Sequence, residues 1–162
     1  MDKEESCLRE FKDSYSKIQQ RHGLPEFDDL NCEFSVEKLA ELETDFLIRE
    51  IRKFISDKLS NYLRFIEAII HPVNSPMFVF AMIKVMSEGD KEKLTEVYKK
   101  LAKHEVEFVQ LDLNFDEEKE AKFIKDSYNL WKEIKGEISG VIDLVLKNWD
   151  NKFETNNKGY FG

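Results

Sequence analysis

Residues Ser35–Ile70, SVEKLAELETDFLIREIRKFISDKLSNYLRFIEAII, decide the fold. Apolar residues recur there at spacings of three and four, charges fill the remaining positions, and no proline interrupts the run. That is the period of a helix with one apolar face. A second stretch, Asn114–Trp149, repeats the pattern as NFDEEKEAKFIKDSYNLWKEIKGEISGVIDLVLKNW, with Ile124, Tyr128, Trp131, Ile134, Ile138, Val141, Val145 and Trp149 on one side. Two such segments imply an all-α chain: a single-domain helical bundle of about five helices, two of them long. Uninterrupted, Ser35–Ile70 would extend about 50 Å. Thr44-Asp45 is its expected break, because both residues favour caps over helix interiors.

Working outward from this segment, the first helix is expected over Asp2–His22, with Leu8, Phe11, Tyr15 and Ile18 as its apolar stripe. Gly23 can take the left-handed conformation that closes it, and Pro25 prevents continuation. Leu24–Phe34 reads as an irregular connection held to the core by Leu24, Phe27, Leu30 and Phe34, with Ser35 as the N-cap of the next helix. Pro72 ends that helix. Asn74-Ser75-Pro76 restarts one, Ser75 capping and Pro76 in the first helical position. The helix expected over Pro76–Ser87 is apolar nearly all round, Lys84 being its only charge. It is too short for a bilayer, so it belongs in the core or in a subunit interface. Gly89-Asp90 is expected to separate it from a fourth helix, Lys91–Gln110. The partial alternation of Val106–Phe115 reads as a helix end followed by an extended turn. Asn114 and Glu117 have capping-box spacing for the fifth helix. Residues 1–150 then form one helical domain and 151–162 a flexible C-terminal tail.

Composition narrows the function. The chain has 162 residues, 36% of them charged, and a formal net charge of −8. An acidic balance disfavours broad binding to nucleic acid or to anionic membrane, which needs a basic field. Cys7 and Cys32 make no disulfide framework and read as reduced thiols. The opening Met-Asp-Lys-Glu-Glu-Ser has no apolar core for a secretory signal, and no stretch is apolar enough to cross a membrane. A cytoplasmic protein without membrane contact is expected.

All five arginines lie in the first 64 residues: Arg9, Arg21, Arg49, Arg52 and Arg64. On a helix over Ser35–Ile70, residues Arg49, Arg52, Lys53, Ser56, Ser60, Arg64, Glu67 and His71 share an arc of roughly 120°. Arg49, Arg52, Lys53, Arg64 and His71 make this a candidate face for an anion or an acidic partner, since a guanidinium suits carboxylate and phosphate. The plainer reading is a solvated polar face turned away from Ile48, Ile51, Ile55, Leu59 and Ile66. Glu67 and His71, four apart, could present two ligands to one metal. The chain holds no Glu-x-x-His pair, however, and no metal or cofactor is expected. Gly136 and Gly140 form a G-x-x-x-G that faces away from the apolar stripe of its helix, either for a close contact with a partner or as tolerated surface glycines. No Gly-x-Ser-x-Gly, no cysteine with a neighbouring histidine and no Gly-rich phosphate loop is present, so no catalytic residue is assigned.

The leading expectation is therefore a non-enzymatic helical interaction or scaffold protein that self-associates, as a homodimer or with another protein partner. The alternative is a module binding nucleic acid or another polyanion through the basic arc. An enzyme with a carboxylate site ranks third.

Overall fold

The computed structural model describes residues 3–150, and the expected tail lies outside them. The fold is an all-α helical bundle, 84% helical, without a strand among the described residues. Its elements are α1 (Lys3–His22), α2 (Phe27–Phe34), a 3₁₀ turn (Val36–Leu39), α3 (Leu47–Ile70), α4 (Met77–Val85), α5 (Glu88–Leu113) and α6 (Glu117–Lys147). They form two compact units. Of the described residues, the first comprises 3–60 and 103–131, the second 61–102 and 132–150. Three long helices contribute to both, because α3, α5 and α6 each run through a unit boundary.

In the first unit, α1 ends as its sequence dictates. Gly23 takes φ +64°, and its N–H donates to the Gln19 carbonyl at 2.8 Å. Lys125 Nζ donates to the freed His22 carbonyl at 2.9 Å, a cation at the negative end of the helix. Phe11 and Tyr15 are buried, and both pack edge-on against Phe27. The segment expected to be irregular contains α2. Its eight residues carry Asp28 and Asp29 in the first turn and bury Leu30 and Phe34, one turn apart. Ser35 does not cap with its side chain. It sits in the left-handed region at φ 56°, closing α2 and opening the 3₁₀ turn.

The stretch that decided the fold is a short turn plus a 24-residue helix, about 36 Å long. The break falls at Thr44-Asp45, where Thr44 Oγ1 accepts the Phe46 N–H at 3.0 Å, a local bond that competes with helix.

In the second unit, Ile66, Ile69, Leu94, Val97, Leu101, Ile134, Ile138, Val141 and Val145 are buried, with Val79 and Met82 of α4. Helix α4 is not the central core element its composition implied. Val79 and Met82 are buried, while Met77, Phe78 and Phe80 are exposed. Nor does Ser75 cap it: its hydroxyl donates back to the Ala68 carbonyl at 3.2 Å, and Pro76 holds the cap position. Gly89-Asp90 does not separate α4 from α5 but forms the first turn of α5. Ser87 Oγ accepts the Asp90 N–H (3.1 Å) and Asp90 Oδ2 accepts the Ser87 N–H (2.9 Å), a reciprocal cap that starts the helix three residues early. The Ser87 hydroxyl, donating to Asp90 Oδ2 at 2.7 Å, and then the Ser87 N–H hold the Asp90 carboxyl below its ordinary range. At the other end α5 stays helical to Leu113, with no extended turn from Val106. The cap of α6 is likewise shifted from Asn114 to Asp116, whose Oδ1 accepts the Lys119 N–H at 3.1 Å.

Candidate functional site

Within the first unit, α3, α5 and α6 bring polar groups into an apolar interior. Arg52 has no solvent exposure, and Ser56 and Ser60 are also buried. The expectation that this arc points away from the core is corrected at those three positions. Arg52 Nε donates to Glu120 Oε2 at 2.5 Å and Nη2 to Glu120 Oε1 at 3.1 Å, a two-pronged pair, while Nη2 also reaches Asp112 Oδ1 at 2.9 Å. Glu120 is itself fully buried. The guanidinium lies 4.9 Å from the centre of the Phe108 ring. Burial alone would lower the Arg52 pKa, but the bonds and charges of Glu120 and Asp112 outweigh it and raise the pKa above its ordinary value. Ser56 Oγ donates to the Arg52 carbonyl at 2.9 Å, and Ser60 Oγ to Glu105 Oε2 at 2.5 Å.

The other members of the arc lie apart from this cluster. Arg49 is half-buried, 3.9 Å from Asp112 Oδ1 and 5.9 Å from the Phe115 ring centre. Lys53 pairs with Glu50 one turn back at 3.6 Å. In the second unit, Arg64 and His71 are exposed, and the His71 ring meets Tyr98 edge-on at 6.2 Å. Glu67, the proposed companion of His71, accepts the Tyr98 hydroxyl at 3.2 Å instead. The structure thus commits Arg52 to internal carboxylates, places Arg49 and Lys53 beside acidic partners, and leaves Arg64 and His71 on open surface. Among the described residues, no three His, Cys, Asp or Glu side chains are grouped to hold a metal ion.

Sequence reasoning missed two buried histidines of the first unit. His104 stacks on Phe123 with ring centres 4.0 Å apart, and its Nε2 lies 2.6 Å from Ser127 Oγ. Burial lowers its pKa, against the opposing pull of Glu107, Asp126 and Glu105. The signal was present: His104, Phe108, Phe123 and Ser127 occupy helical spacings on two neighbouring helices. His22, also buried, donates from Nε2 to Glu117 Oε1 at 2.8 Å, and that bond holds the Glu117 carboxyl below its usual range. A cleft of about 430 Å³ opens between α1 and the segment before α3, lined by Cys7, Glu10, Ser14, Glu41, Glu43 and Thr44 among others. Arg52 and Glu120 do not line it.

Two apolar surfaces stand out against this polar interior. One is on the second unit, where Val73 and Met77 are each 82% exposed and Phe78 and Phe80 lie beside them in sequence. The other is on the first unit, where Val106, Val109 and Leu113 leave the same side of α5 uncovered and Phe46 meets Phe115 edge-on at 5.2 Å. On α6, Gly136 and Gly140 are exposed, and an added methyl at either would touch nothing within 4 Å. No protein-family model, curated protein or solved structure matches the chain.

Proposed function

We propose that this protein is a non-enzymatic helical interaction protein that self-associates through the uncovered face of α4. One observation carries the reading. The most apolar helix of the chain leaves Met77, Phe78 and Phe80 in solvent, continued by Val73 just before it. Exposed apolar surface of several hundred Å² marks a partner site more often than it decorates a monomer. The second copy is the occupant favoured by charge. Each chain carries −8, so two copies repel wherever carboxylates face each other. Helix α4 has no carboxylate and a single lysine. A two-fold contact there sets apolar surface against the same apolar surface without opposing like charges across most of the patch. The role is that of a scaffold, without cofactor, in the cytoplasm. No helix among the described residues is long and apolar enough to cross a membrane.

Sedimentation velocity at tens of micromolar tests the reading. The wild-type chain should show a concentration-dependent dimer. Val73→Glu with Met77→Glu, both at highly exposed positions, should give a monomer with an unchanged circular dichroism spectrum. A wild-type chain that stays monomeric throughout overturns the proposal.

A further inference from the structure

The second apolar surface differs from the first in its electrostatic setting, and that difference names its partner. Val106, Val109 and Leu113 stand at i, i+3 and i+7 on α5, with Val106 70% and Leu113 74% exposed. This is the spacing at which one helix presents anchors to another. Unlike α4, the stripe is bordered by carboxylates, and Lys103, one turn before Val106, is paired with Glu107 at 3.9 Å. Asp112 lies beside it in the last turn of α5, which contains no basic residue, so the negative end of that helix is offset by no cation of its own. Phe115 follows the stripe and touches Phe46, which brings the segment carrying Glu43 and Asp45, both exposed, to this end of the surface. Two guanidiniums lie nearby, and Asp112 already opposes both, Arg52 at 2.9 Å and Arg49 at 3.9 Å, which leaves Glu43, Asp45 and the end of α5 as the acidic border.

We infer that this face docks a basic amphipathic helix of a different protein. The apolar side of that helix would cover Val106, Val109 and Leu113, and its lysines or arginines would meet Glu43, Asp45 and the C-terminal end of α5. A second copy of this chain is the poorer occupant, because a two-fold contact would bring those carboxylates together between two molecules of net charge −8. A polyanion or an anionic membrane is repelled by the same groups. The inference does not depend on the α4 reading, since it concerns other residues on the other unit.

The test uses a labelled peptide of roughly four helical turns with leucines at i, i+3 and i+7 and lysines elsewhere, beside a twin with glutamate replacing lysine. Fluorescence anisotropy with the full chain at physiological salt should show micromolar binding of the lysine peptide and none of the glutamate twin. Val106→Gln, Val109→Gln and Leu113→Gln together should weaken binding by about tenfold or more. Glutamine suits a helix better than valine does, so the fold is retained. Glu43→Lys with Asp45→Lys should weaken it several-fold. Val73→Glu with Met77→Glu should leave it unchanged, which separates this surface from α4. Failure of the lysine peptide to bind, equal binding of the glutamate twin, or undiminished binding by the glutamine triple variant would each overturn the inference; the last would mean that the peptide responds only to bulk negative charge.

Discussion

Arg52 and Glu120, 68 positions apart in the chain, meet where neither side chain has any solvent exposure, joined by bonds of 2.5 and 3.1 Å. They fix helix α3 against helix α6 in the first unit. Such a pair carries the desolvation cost of both ions, so its net contribution is small while it is intact and large when one partner is removed. Arg52→Met should destabilise the chain by about 3–5 kcal/mol, because Glu120 is left buried and unpaired. Adding Glu120→Leu should recover most of that loss. Urea unfolding of the two variants decides it. If the single variant costs no more than the double, the pair is not what holds these helices in register.

His104 sets a pH dependence whose sign follows from its burial. Its pKa is lowered in the folded chain, chiefly by desolvation, so the unfolded chain binds the proton more readily. The contribution to stability is therefore complete above the unfolded histidine value of about 6.5 and is lost as pH falls toward the lower folded value. Unfolding free energy measured between pH 7 and pH 5 should decrease, and His104→Phe should flatten that slope. Phenylalanine keeps a ring against Phe123 and cannot take up a proton, while Ser127 retains its bond to the Phe123 carbonyl at 2.7 Å. An unchanged slope in the variant would assign the dependence to other groups.

The glycines of α6 and of the α1 terminus should respond oppositely to the same substitution. Gly136 and Gly140 lie inside a helix with open space where a methyl group would go. Alanine at either should stabilise by about 1 kcal/mol, the usual helical difference between the two residues. Gly23 also has open space, but its φ of +64° strains any side-chain-bearing residue. Gly23→Ala should therefore destabilise. Thermal melts of the three single variants give the comparison directly.

The sequence carried the class of fold because the 3.6-residue period is a local property, and α3 and α6 lie in the two stretches that sustain it over many turns. It carried less about caps. Ser35, Ser75 and Asn114 each have a side chain that can cap, but which residue does so depends on how the chain enters the helix. Ser87 and Asp116 won where backbone direction brought an acceptor onto a free N–H. The helical wheel placed Arg52 on a polar face correctly, and at Arg52, Ser56 and Ser60 that face is nevertheless inside. A wheel reports which residues share a side, not what covers that side, and two carboxylates from α5 and α6 cover this one. The same limit applies to α4, whose all-round apolar surface reads as buried on every side, whereas its neighbours bury only Val79 and Met82 fully and leave Met77, Phe78 and Phe80 exposed.

Salt should separate self-association through α4 from any charge-driven assembly. Two copies of a −8 chain repel at low ionic strength, and an apolar contact gains nothing from that field. Screening removes the repulsion and leaves the apolar burial intact. The dimer should therefore tighten as sodium chloride rises from low millimolar to several hundred millimolar, where the Debye length falls below about 10 Å. Binding of a polyanion to exposed cations would have the opposite salt dependence, because it releases counterions and weakens steeply as salt rises. Sedimentation equilibrium across a salt series distinguishes them. Tightening that disappears in Val73→Glu with Met77→Glu would support α4 as the contact. Weakening with salt would place the association on charged residues and remove α4 from it.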